Sequence, residues 1–548
     1  MFIGSHPSLE SVVASPLGGD LPAHYDQLMP KWTAKKRRAG VILHPTSLPG
    51  PYGIGELGSE AFAMLDWLER AGMQCWQLLP MVLPDPMYYS PYSGTDANCG
   101  NPLVISIDTL IKDSLLDPAD APAHVAIGDV DFAAVAEIKT PLLQKAARRL
   151  LDASAPSQSA AHSEYQGYMQ FRQQHPWIEE SALFDVARCS PALSQLAWWQ
   201  WPQPLRLRDP AALREFAQAN KDSIDEFVAT QYLFDKQWKA VKAYANARQI
   251  SIVGDMPIYV GGHSTDVWAN QHLFELSADG TPASVSGVPP DAFSATGQLW
   301  GSPLYRWDAH EAEGYAWWAS RLKRAMQLYD ETRIDHFRGF AGYWAVDASA
   351  ETAMGGKWQK GPGQALFDGI SARIGAVPIL AEDLGVITAD VVNLREYIKA
   401  PGMVVLQFAW GGGSGNVHLP HRHYENSFVY PGTHDNETAV GWFKGSANEV
   451  DKRYIANYLR SDGSDIAWDF IDACMSSVSC TCIMMMQDVM RLDNTARMNT
   501  PGVAAGNWRW RVGDSAVWKQ LDKEAVDLRS VANFTGRLPY GVPEFASK

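Results

Sequence analysis

Eight short apolar segments, with helical patterns between most of them, constrain the fold of this chain more than any other feature. They are residues 39–44, 75–79, 250–257, 333–335, 378–383, 403–409, 427–435 and 481–488. Short apolar runs bounded by Gly, Pro or acidic residues are typical of buried strands, and alternating strands and helices predict a parallel sheet. The sequence therefore predicts an α/β protein built on a (β/α)8 TIM barrel, whose chemistry lies at the C-terminal ends of the strands.

The barrel pattern starts and breaks off at points that divide the chain into four parts. They are an N-terminal arm (1–30), a first part of the barrel (31–104), a mostly helical insertion (105–248) and the remainder of the barrel (249–548), with a lid loop near 287–301. Residues 81–105 are dense in Pro, Tyr, Ser and Asn and are expected to form a loop. Together with the lid loop, they predict loop subdomains at the C-terminal face of the strands.

Charge and hydropathy limit the partners that this chain can have. The 548 residues include 46 basic and 61 acidic side chains, a net charge of −15, which argues against nucleic acid as a partner. No window reaches the roughly 18 uninterrupted apolar residues of a membrane span, so we expect no membrane partner. The oligomeric state cannot be read from the sequence.

The cysteines and the first residues bear on location. The six cysteines show no metal-ligand spacing, so we expect reduced core cysteines in an intracellular protein and no metal. Acidic residues precede the first basic residue, Lys31, which argues against a secretory signal or an Arg-rich transit peptide. The expected location is the cytoplasm, or the plastid stroma if the source is photosynthetic.

Acidic residues follow four of the predicted strands. Asp255 follows the third strand, Asp335 the fourth, Glu382 and Asp383 the fifth, and Asp435 the seventh. In a barrel these ends converge on one mouth, where a ring of carboxylates could bind a divalent cation or cleave a glycosidic bond. The loops nearby carry Trp, Tyr, Phe, Asn and His, whose flat rings and polar groups suit the faces and hydroxyls of a sugar. We therefore favour sugar chemistry over a metal centre.

Arg333 and Asp335 flank a single residue, so on a strand both side chains point to the same face. The guanidinium is expected to keep the pKa of Asp335 low, whereas Glu382, crowded by other carboxylates, is expected to have a raised pKa. Taken alone, Arg333 and Asp335 would be interpreted as a structural ion pair, and it is the acidic residues at the other strand ends that favour a catalytic role. Asp383 could have a structural role, as a helix cap or in a salt bridge.

Nine stretches resemble a known family when they are read in order. They are LHPTSLPGPYGIG from Leu43, SPY at Ser90, GDMPIYV from Gly254, DVWAN from Asp266, GVPPDAFSATGQLWG from Gly287, RIDHFRG from Arg333, AEDLGVIT from Ala381, GTHDN from Gly432 and ARMNTPG from Ala496. From about Arg38 to Arg511, and less clearly in the helical insertion, the chain resembles glycoside hydrolase family 77. This family comprises 4-α-glucanotransferases, also called amylomaltases or disproportionating enzymes.

The resemblance implies a retaining transfer of α-1,4-glucan segments between maltooligosaccharide, starch or glycogen chains, with glucose as an acceptor and no cofactor. It implies that Asp335 is the nucleophile, Glu382 the general acid and base, and Asp435 the residue that holds the distorted sugar. The substrate-binding residues implied are Ser90, Tyr92, Asp255, Asp291, Gln298, Trp300, Arg333, His336, His434 and Asn499.

Two other functions fit the same residues. A hydrolase of α-1,4-glucans with the same barrel is the alternative enzyme, and an inactive glucan-binding protein is a second alternative. The lid loop also departs from the family pattern, because Ala292 stands where many members carry Tyr. The loss of that ring leaves acceptor affinity and product length open.

Overall fold

The computed structural model of the chain describes residues 37–153, 160–290 and 294–539. The predicted N-terminal arm, residues 1–30, lies outside the described residues, and so do Asp291, Ala292 and Phe293 of the predicted lid loop. Within the described residues, the chain is organised around one sheet of eight strands.

Strands occur along most of the described chain. In order they are β1 (Arg38–Ile42), β2 (Cys75–Gln77), β3 (Val82–Pro84), β4 (Gly94–Gly100), β5 (Ser251–Pro257), β6 (Ser284–Val288), β7 (Gln298–Pro303), β8 (Glu331–Asp335), β9 (Gly342–Asp347), β10 (Lys357–Lys360), β11 (Ile379–Ala381), β12 (Gly402–Val405), β13 (Ser427–Tyr430) and β14 (Thr481–Met485). Eight of these strands fall within or next to the eight apolar segments of the sequence.

Helices connect the strands and cover the sheet. In order they are α1 (Ser59–Arg70), α2 (Ile107–Lys112), α3 (Phe132–Asp152), α4 (Ala160–Gln174), α5 (Trp177–Cys189), α6 (Gln203–Arg206), α7 (Pro210–Ala219), α8 (Lys221–Ala247), α9 (Thr265–Ala269), α10 (Trp307–Ala312), α11 (Ala316–Leu328), α12 (Gln364–Ile374), α13 (Ala389–Tyr397), α14 (Ala439–Gly445), α15 (Glu449–Leu459), α16 (Ile466–Ser476), α17 (Met486–Val489), α18 (Val517–Gln520) and α19 (Asp522–Phe534).

The eight-stranded sheet closes into a barrel. Its strands are all parallel, in the order β11-β8-β5-β2-β1-β14-β13-β12. The first and last strands of this order, β11 and β12, also meet. The Ala381 N–H in β11 donates to the oxygen of Pro401, directly before β12, at 3.0 Å. Strands such as β1, β12 and β14 are buried along their whole length, which explains their continuous apolar runs. The predicted (β/α)8 barrel is confirmed.

Polar side chains at the N-terminal ends of the strands form a buried layer across the barrel. Arg38 on β1 donates to both carboxylate oxygens of Glu331 on β8, at 2.6 and 2.5 Å, and to Thr481 Oγ1 on β14 at 3.1 Å. Ser251 on β5 donates to Glu331 at 2.6 Å. Because two strands separate β1 from β8 in the sheet, the Arg38–Glu331 pair ties together walls of the barrel that are not adjacent.

Two segments that were predicted to be loops contain antiparallel strands. Residues 81–105 include β3 and β4, which pair with each other. The segment 287–301 includes the end of β6 and the start of β7, and these strands join β9 and β10 in a second sheet of order β10-β9-β6-β7. The loop prediction was wrong only for the residues in these strands, because Pro, Gly, Ser and Asn are common in both segments, whereas strand pairing determines their conformation.

Helices α2 to α8 lie within residues 105–248, the predicted helical insertion. Helix α8 packs against α3 and α5, and its Trp238 is fully buried and donates to the Leu328 oxygen at 2.8 Å. Lys139 on α3 is also fully buried and forms an ion pair with Glu56, in the connection after β1. Buried contacts of this kind fix these helices against the barrel.

The six cysteines are free thiols. Five of them are buried, but Cys189 at the end of α5 is exposed, so the prediction of core cysteines is wrong for this residue. The end of a surface helix allows a small side chain to face solvent. None of the helices in the described ranges combines the length and the apolar composition that a membrane crossing requires.

The polar layer generates a stability prediction. Glu331→Ala leaves the Arg38 guanidinium buried without its partner, so we expect the free energy of unfolding to fall by about 3–5 kcal/mol. The control is Asp522→Ala, which removes a pair with Arg70 whose side chains are 58% and 50% exposed, and it should cost about 1 kcal/mol or less. Urea unfolding followed by circular dichroism measures both. Equal losses in the two variants would show that the buried layer does not hold the barrel together.

Candidate active site

Arg333 lies at the centre of a carboxylate cluster at the C-terminal ends of β5 and β8. Its guanidinium donates to Asp255 at 2.6 Å and to Asp335 at 2.7 Å. The register of the two strands brings these groups together, because Asp255 on β5 lies opposite Arg333 on β8. The side chains of Arg333 and Asp255 are buried, whereas that of Asp335 is 31% exposed. Asp335 is therefore the member of this cluster that a ligand can reach.

Glu382 enters the same site from the end of β11. Its Oε2 accepts a hydrogen bond from the backbone N–H of His336, the residue after Asp335, at 2.7 Å. Its Oε1 accepts a bond from the Leu384 N–H at 2.9 Å. His336 has a left-handed backbone conformation, with φ of 56°, a conformation uncommon outside Gly that tends to occur at functional sites. The bond to His336 brings the carboxyl group of Glu382 close to Asp335, and the charge of Glu382 helps to raise the pKa of Asp335.

Asp435 follows β13 and is held by a segment from near the end of the chain. The Asn499 amide donates to Asp435 Oδ1 at 2.6 Å, and the Arg497 guanidinium donates to the Asp435 backbone oxygen at 3.0 Å. His434 Nε2 lies 3.4 Å from Asp435 Oδ2. The side chain of Asp435 is 41% exposed, so it is held in place but remains open to a ligand.

Tyr92 connects two sides of the cluster. Its hydroxyl is 2.6 Å from Asp255 Oδ2 and 2.7 Å from His434 Nε2. The Tyr92 and His434 rings are stacked, with centroids 5.5 Å apart and an interplanar angle of 10°. Trp508 packs against both rings, at 5.6 and 6.2 Å. Tyr92 thereby fixes the orientation of the imidazole next to Asp435.

Trp300 and His336 form an aromatic wall of the pocket. Their ring centroids are 4.8 Å apart, and the planes of the two rings are nearly perpendicular. Tyr259, buried after β5, lies 6.4 Å from each of these rings. The Trp300 indole N–H donates to Gln298 on the same strand at 3.2 Å, and the Trp300 side chain is 41% exposed. An exposed indole of this kind can stack against a sugar ring.

The other predicted site residues are placed differently. Ser90 Oγ accepts a hydrogen bond from the Tyr92 N–H at 3.2 Å and so stabilises its own turn. Asp291 lies outside the described residues. Asp383 faces away from the cluster, where it accepts bonds from Arg395 and from the Met403 N–H, each at 2.7 Å. This arrangement fits the structural role expected for Asp383.

Two aromatic residues at the site were missed from the sequence. Trp508 supports Tyr92 and His434, has a left-handed backbone with φ of 67°, and is 7% exposed. Tyr259 backs Trp300 and His336. The only sequence signal for Trp508 is its position shortly after the ARMNTPG stretch, in a segment that contains several aromatic and basic residues.

The pKa values of the carboxyl groups differ from one another because their partners differ. Burial raises the pKa of Asp335 to about 7, although Arg333 opposes this shift. Burial also raises the pKa of Glu382, although Arg333 and the two backbone N–H groups that donate to Glu382 act to lower it. For Asp435, burial is outweighed by His434 and the Asn499 amide, which lower its pKa. The prediction of a low pKa for Asp335 is therefore wrong, because it considered the guanidinium and not the loss of hydration.

Several buried polar atoms around the cluster have no partner within the protein. They are Asp255 Oδ1, Arg333 Nε, His336 Nε2 and His434 Nδ1. Buried polar atoms are normally hydrogen-bonded, so such a group of atoms beside an open pocket is suited to the hydroxyls of a ligand. Burial lowers the pKa of His336 to about 3 and also lowers that of His434. Neutral imidazoles can both donate to and accept from hydroxyls.

A divalent cation is the other ligand that a carboxylate ring could bind. Here the guanidinium of Arg333 already contacts Asp255 and Asp335. Over the described ranges, no group of three or more His, Cys, Asp and Glu side chains has an arrangement that could hold a metal ion. The geometry of the cluster is that of carboxyl groups organised by an arginine.

Comparison with known proteins identifies the family. Residues 43–515 match glycoside hydrolase family 77, described as 4-alpha-glucanotransferase. A chloroplastic/amyloplastic 4-alpha-glucanotransferase from Oryza sativa is 49% identical over 537 residues, which cover 97% of this chain and 89% of that protein. A 4-alpha-glucanotransferase from Thermus thermophilus is 42% identical over 513 residues, covering 92% of this chain and 99% of that protein.

Solved structures show the same architecture. An amylomaltase from Streptococcus agalactiae, in complex with acarbose, has a TM-score of 0.85 at 35% identity and covers 91% of this chain and 99% of its own. An amylomaltase from Corynebacterium glutamicum, 16% identical, has a TM-score of 0.73 over 93% of this chain and 77% of its own, a likeness of fold alone. The chain is therefore a member of glycoside hydrolase family 77, the 4-alpha-glucanotransferases.

Proposed function

We propose that this enzyme transfers α-1,4-glucan segments between maltooligosaccharide, starch or glycogen chains by a retaining double displacement at Asp335 and Glu382. The observation that carries the proposal is the 2.7 Å hydrogen bond from the His336 N–H to Glu382. It brings the carboxyl group of Glu382 next to the residue that follows Asp335, and the charge of Glu382 helps to raise the pKa of Asp335. We infer from this proximity that both carboxyl groups open onto one pocket. Two carboxyl groups on either side of one glycosidic bond are the requirement for this chemistry.

In the first step, a carboxylate oxygen of Asp335 attacks the anomeric carbon of the donor. The bond from that carbon to the 4-oxygen of the leaving glucan breaks, and the leaving oxygen takes the proton of Glu382. The product is a β-glucosyl ester on Asp335. The contact with Arg333 supports this role, because it orients Asp335 and favours its ionised form.

In the second step, the 4-hydroxyl of an acceptor glucan attacks the same carbon. Its proton passes to Glu382, the ester bond breaks, and Asp335 leaves as a carboxylate. The pKa of Glu382, raised by burial, supports a group that starts the cycle protonated, gives up its proton and regains it. Both carboxyl groups return to their starting protonation states, so the cycle needs no cofactor.

Asp435 would accept hydrogen bonds from the 2- and 3-hydroxyls of the donor sugar. Its lowered pKa keeps it an acceptor, and the Asn499 amide leaves Oδ2 available. His336 and His434, each with an unpartnered buried nitrogen, would contact further hydroxyls. Such contacts accelerate the reaction where they strengthen as the sugar ring distorts.

Transfer requires a sugar hydroxyl to react before water does. Positioning of the acceptor can supply this preference, because an oriented group reaches a high effective concentration. We propose that the exposed indole of Trp300, in the segment 287–301 predicted to be a lid, holds the acceptor. We propose glucose as one acceptor.

We further propose that the enzyme acts in the cytoplasm or the plastid stroma. The chloroplastic/amyloplastic name of the Oryza sativa relative supports the second location. Six free thiols fit a reducing compartment of either kind.

Replacement of each proposed catalytic carboxyl group tests the mechanism. Asp335→Ala should reduce kcat by about 10⁴-fold or more, because no covalent ester can form, while maltooligosaccharide binding is retained. Glu382→Gln should also remove turnover. The control is Asp383→Asn, which alters the neighbouring carboxyl group that contacts Arg395, and it should affect stability more than kcat. Turnover in Asp335→Ala near that of the wild type would rule out Asp335 as the nucleophile.

The pH dependence of kcat/KM follows from the pKa of Asp335. Attack requires the carboxylate, and the pKa of Asp335 in the free enzyme is about 7. Going down in pH, kcat/KM for maltotriose should therefore fall, with an acid limb near pH 7 and a slope approaching about tenfold per unit. Steady-state rates between pH 4.5 and 9 would measure it. A plateau that continues down to pH 5 would contradict the raised pKa.

The products formed from maltotriose separate transfer from hydrolysis. A transferase should yield glucose together with chains longer than maltotriose, whereas a hydrolase should yield only glucose and maltose. Chromatography of the products at several times measures the distribution. Absence of any chain longer than maltotriose would favour the alternative, an α-1,4-glucan hydrolase.

A further inference from the structure

Arg338 bridges the two loops that follow strands β8 and β11. We call residues 336–340 the β8 loop and residues 382–388 the β11 loop. The first directly follows the proposed nucleophile, Asp335, and the second begins with the proposed general acid. Arg338 is buried in the β8 loop, and its guanidinium donates to the oxygen of Val386 in the β11 loop at 2.5 Å. One side chain thus joins the far end of the β11 loop to the β8 loop.

Backbone groups join the near ends of the same two loops. The Phe337 N–H donates to the Glu382 backbone oxygen at 3.2 Å, and the His336 N–H donates to Glu382 Oε2 at 2.7 Å. The Leu384 N–H, within the β11 loop, donates to Glu382 Oε1 at 2.9 Å. Each loop therefore supplies one donor to the Glu382 carboxyl group, so the position of this group depends on how the two loops are placed against each other.

The β11 loop is open where Arg338 contacts it. Gly385 has a left-handed backbone with φ of 82°, and no atom lies within 4 Å of the position that a Cβ would occupy there. The side chain of Val386 is exposed. A glycine-containing loop with so little packing around it has considerable conformational freedom. The bond from Arg338 limits this freedom close to Leu384, which donates to the Glu382 carboxyl group.

The indole of Trp358, on β10, holds the guanidinium of Arg338. The guanidinium carbon lies 4.0 Å from the centroid of the Trp358 ring, within the range of a cation–π interaction. Trp344 on β9 packs against Trp358, with ring centroids 5.3 Å apart, and the Trp344 indole N–H donates to the Ala353 oxygen at 2.8 Å. The stacked ring restricts the guanidinium and keeps its N–H groups directed at the β11 loop.

We propose that Arg338 is a positioning residue for proton transfer, which holds the β11 loop against the β8 loop and thereby places the Glu382 carboxyl group relative to Asp335. Arg338 acts through the two loops and not by contact with the sugar. The inference rests on the proposed function, because it assumes that Glu382 is the general acid and base. A displacement of about 1 Å in such a group can reduce the rate about a hundredfold.

The test compares two donors that differ in their need for an acid. The leaving oxygen of maltotriose needs a proton, whereas the fluoride of α-maltosyl fluoride needs none, and kcat/KM for the fluoride reports only the steps up to its loss. In Arg338→Met, kcat/KM should fall about ten- to a hundredfold for maltotriose and about threefold or less for the fluoride. Arg338→Lys, which keeps the charge and one donor for the Val386 oxygen, should recover part of the maltotriose value.

Two further variants serve as references. Arg373, at the end of α12, also donates to two backbone oxygens, those of Gly314 at 2.7 Å and Glu313 at 2.6 Å, but away from both loops. Arg373→Met should therefore leave both kcat/KM values as in the wild type. Glu382→Gln, which removes the acid itself, should lower the maltotriose value far more than the fluoride value.

Two results would overturn the inference. A parallel fall of both values in Arg338→Met would mean that Arg338 supports the fold or sugar binding in general. An unchanged maltotriose value would mean that the loops keep their places without it. The failure of the proposed function has a different signature: Glu382→Gln would then lower both values alike, and the inference about Arg338 would fall with it.

Discussion

The contact of one guanidinium with two carboxylates organises the active site. Arg333 holds Asp255 at 2.6 Å and Asp335 at 2.7 Å, and the register of β5 against β8 makes this possible. Without the arginine, two acidic groups so close together would repel each other, and nothing would offset the burial that raises the pKa of Asp335. With it, Asp335 can ionise near neutral pH while remaining partly exposed. The roles proposed for Glu382 and Asp435 depend on a nucleophile that is held in this way.

The barrel supplies the rigidity that this contact needs. The polar layer of Arg38 and Glu331 ties the N-terminal ends of the strands, and the carboxyl groups project from the opposite ends. Loops from distant parts of the chain then complete the pocket: Tyr92 from the connection after β2, and Asn499 from near the end of the chain. Because each functional group is carried by a separate strand end or loop, a substitution can change one of them without disturbing the others. Barrels of this kind therefore support many different chemistries.

Much of this could be predicted from the sequence, for physical reasons. Buried parallel strands are continuous apolar runs, so the barrel strands were found to within a few residues, and the spacing of Arg333 and Asp335 indicated their contact. The antiparallel sheet was missed because strand pairing, including that of β6 with β9, and not composition defines its strands. The support that Trp508 gives to Tyr92 joins residues far apart in the chain. The raised pKa of Asp335 depends on desolvation, which exists only once the site is folded.

The central claim is that Asp335 forms a covalent bond to the sugar while Glu382 transfers the proton. An α-maltosyl fluoride donor has a leaving group that needs no acid, so Glu382→Gln should still form the ester but resolve it slowly. Mass spectrometry of the trapped enzyme measures the adduct directly. The mechanism predicts a maltosyl increment on the peptide that contains Asp335. An increment on a different residue, or hydrolysis of the fluoride with inversion and no adduct, would contradict it.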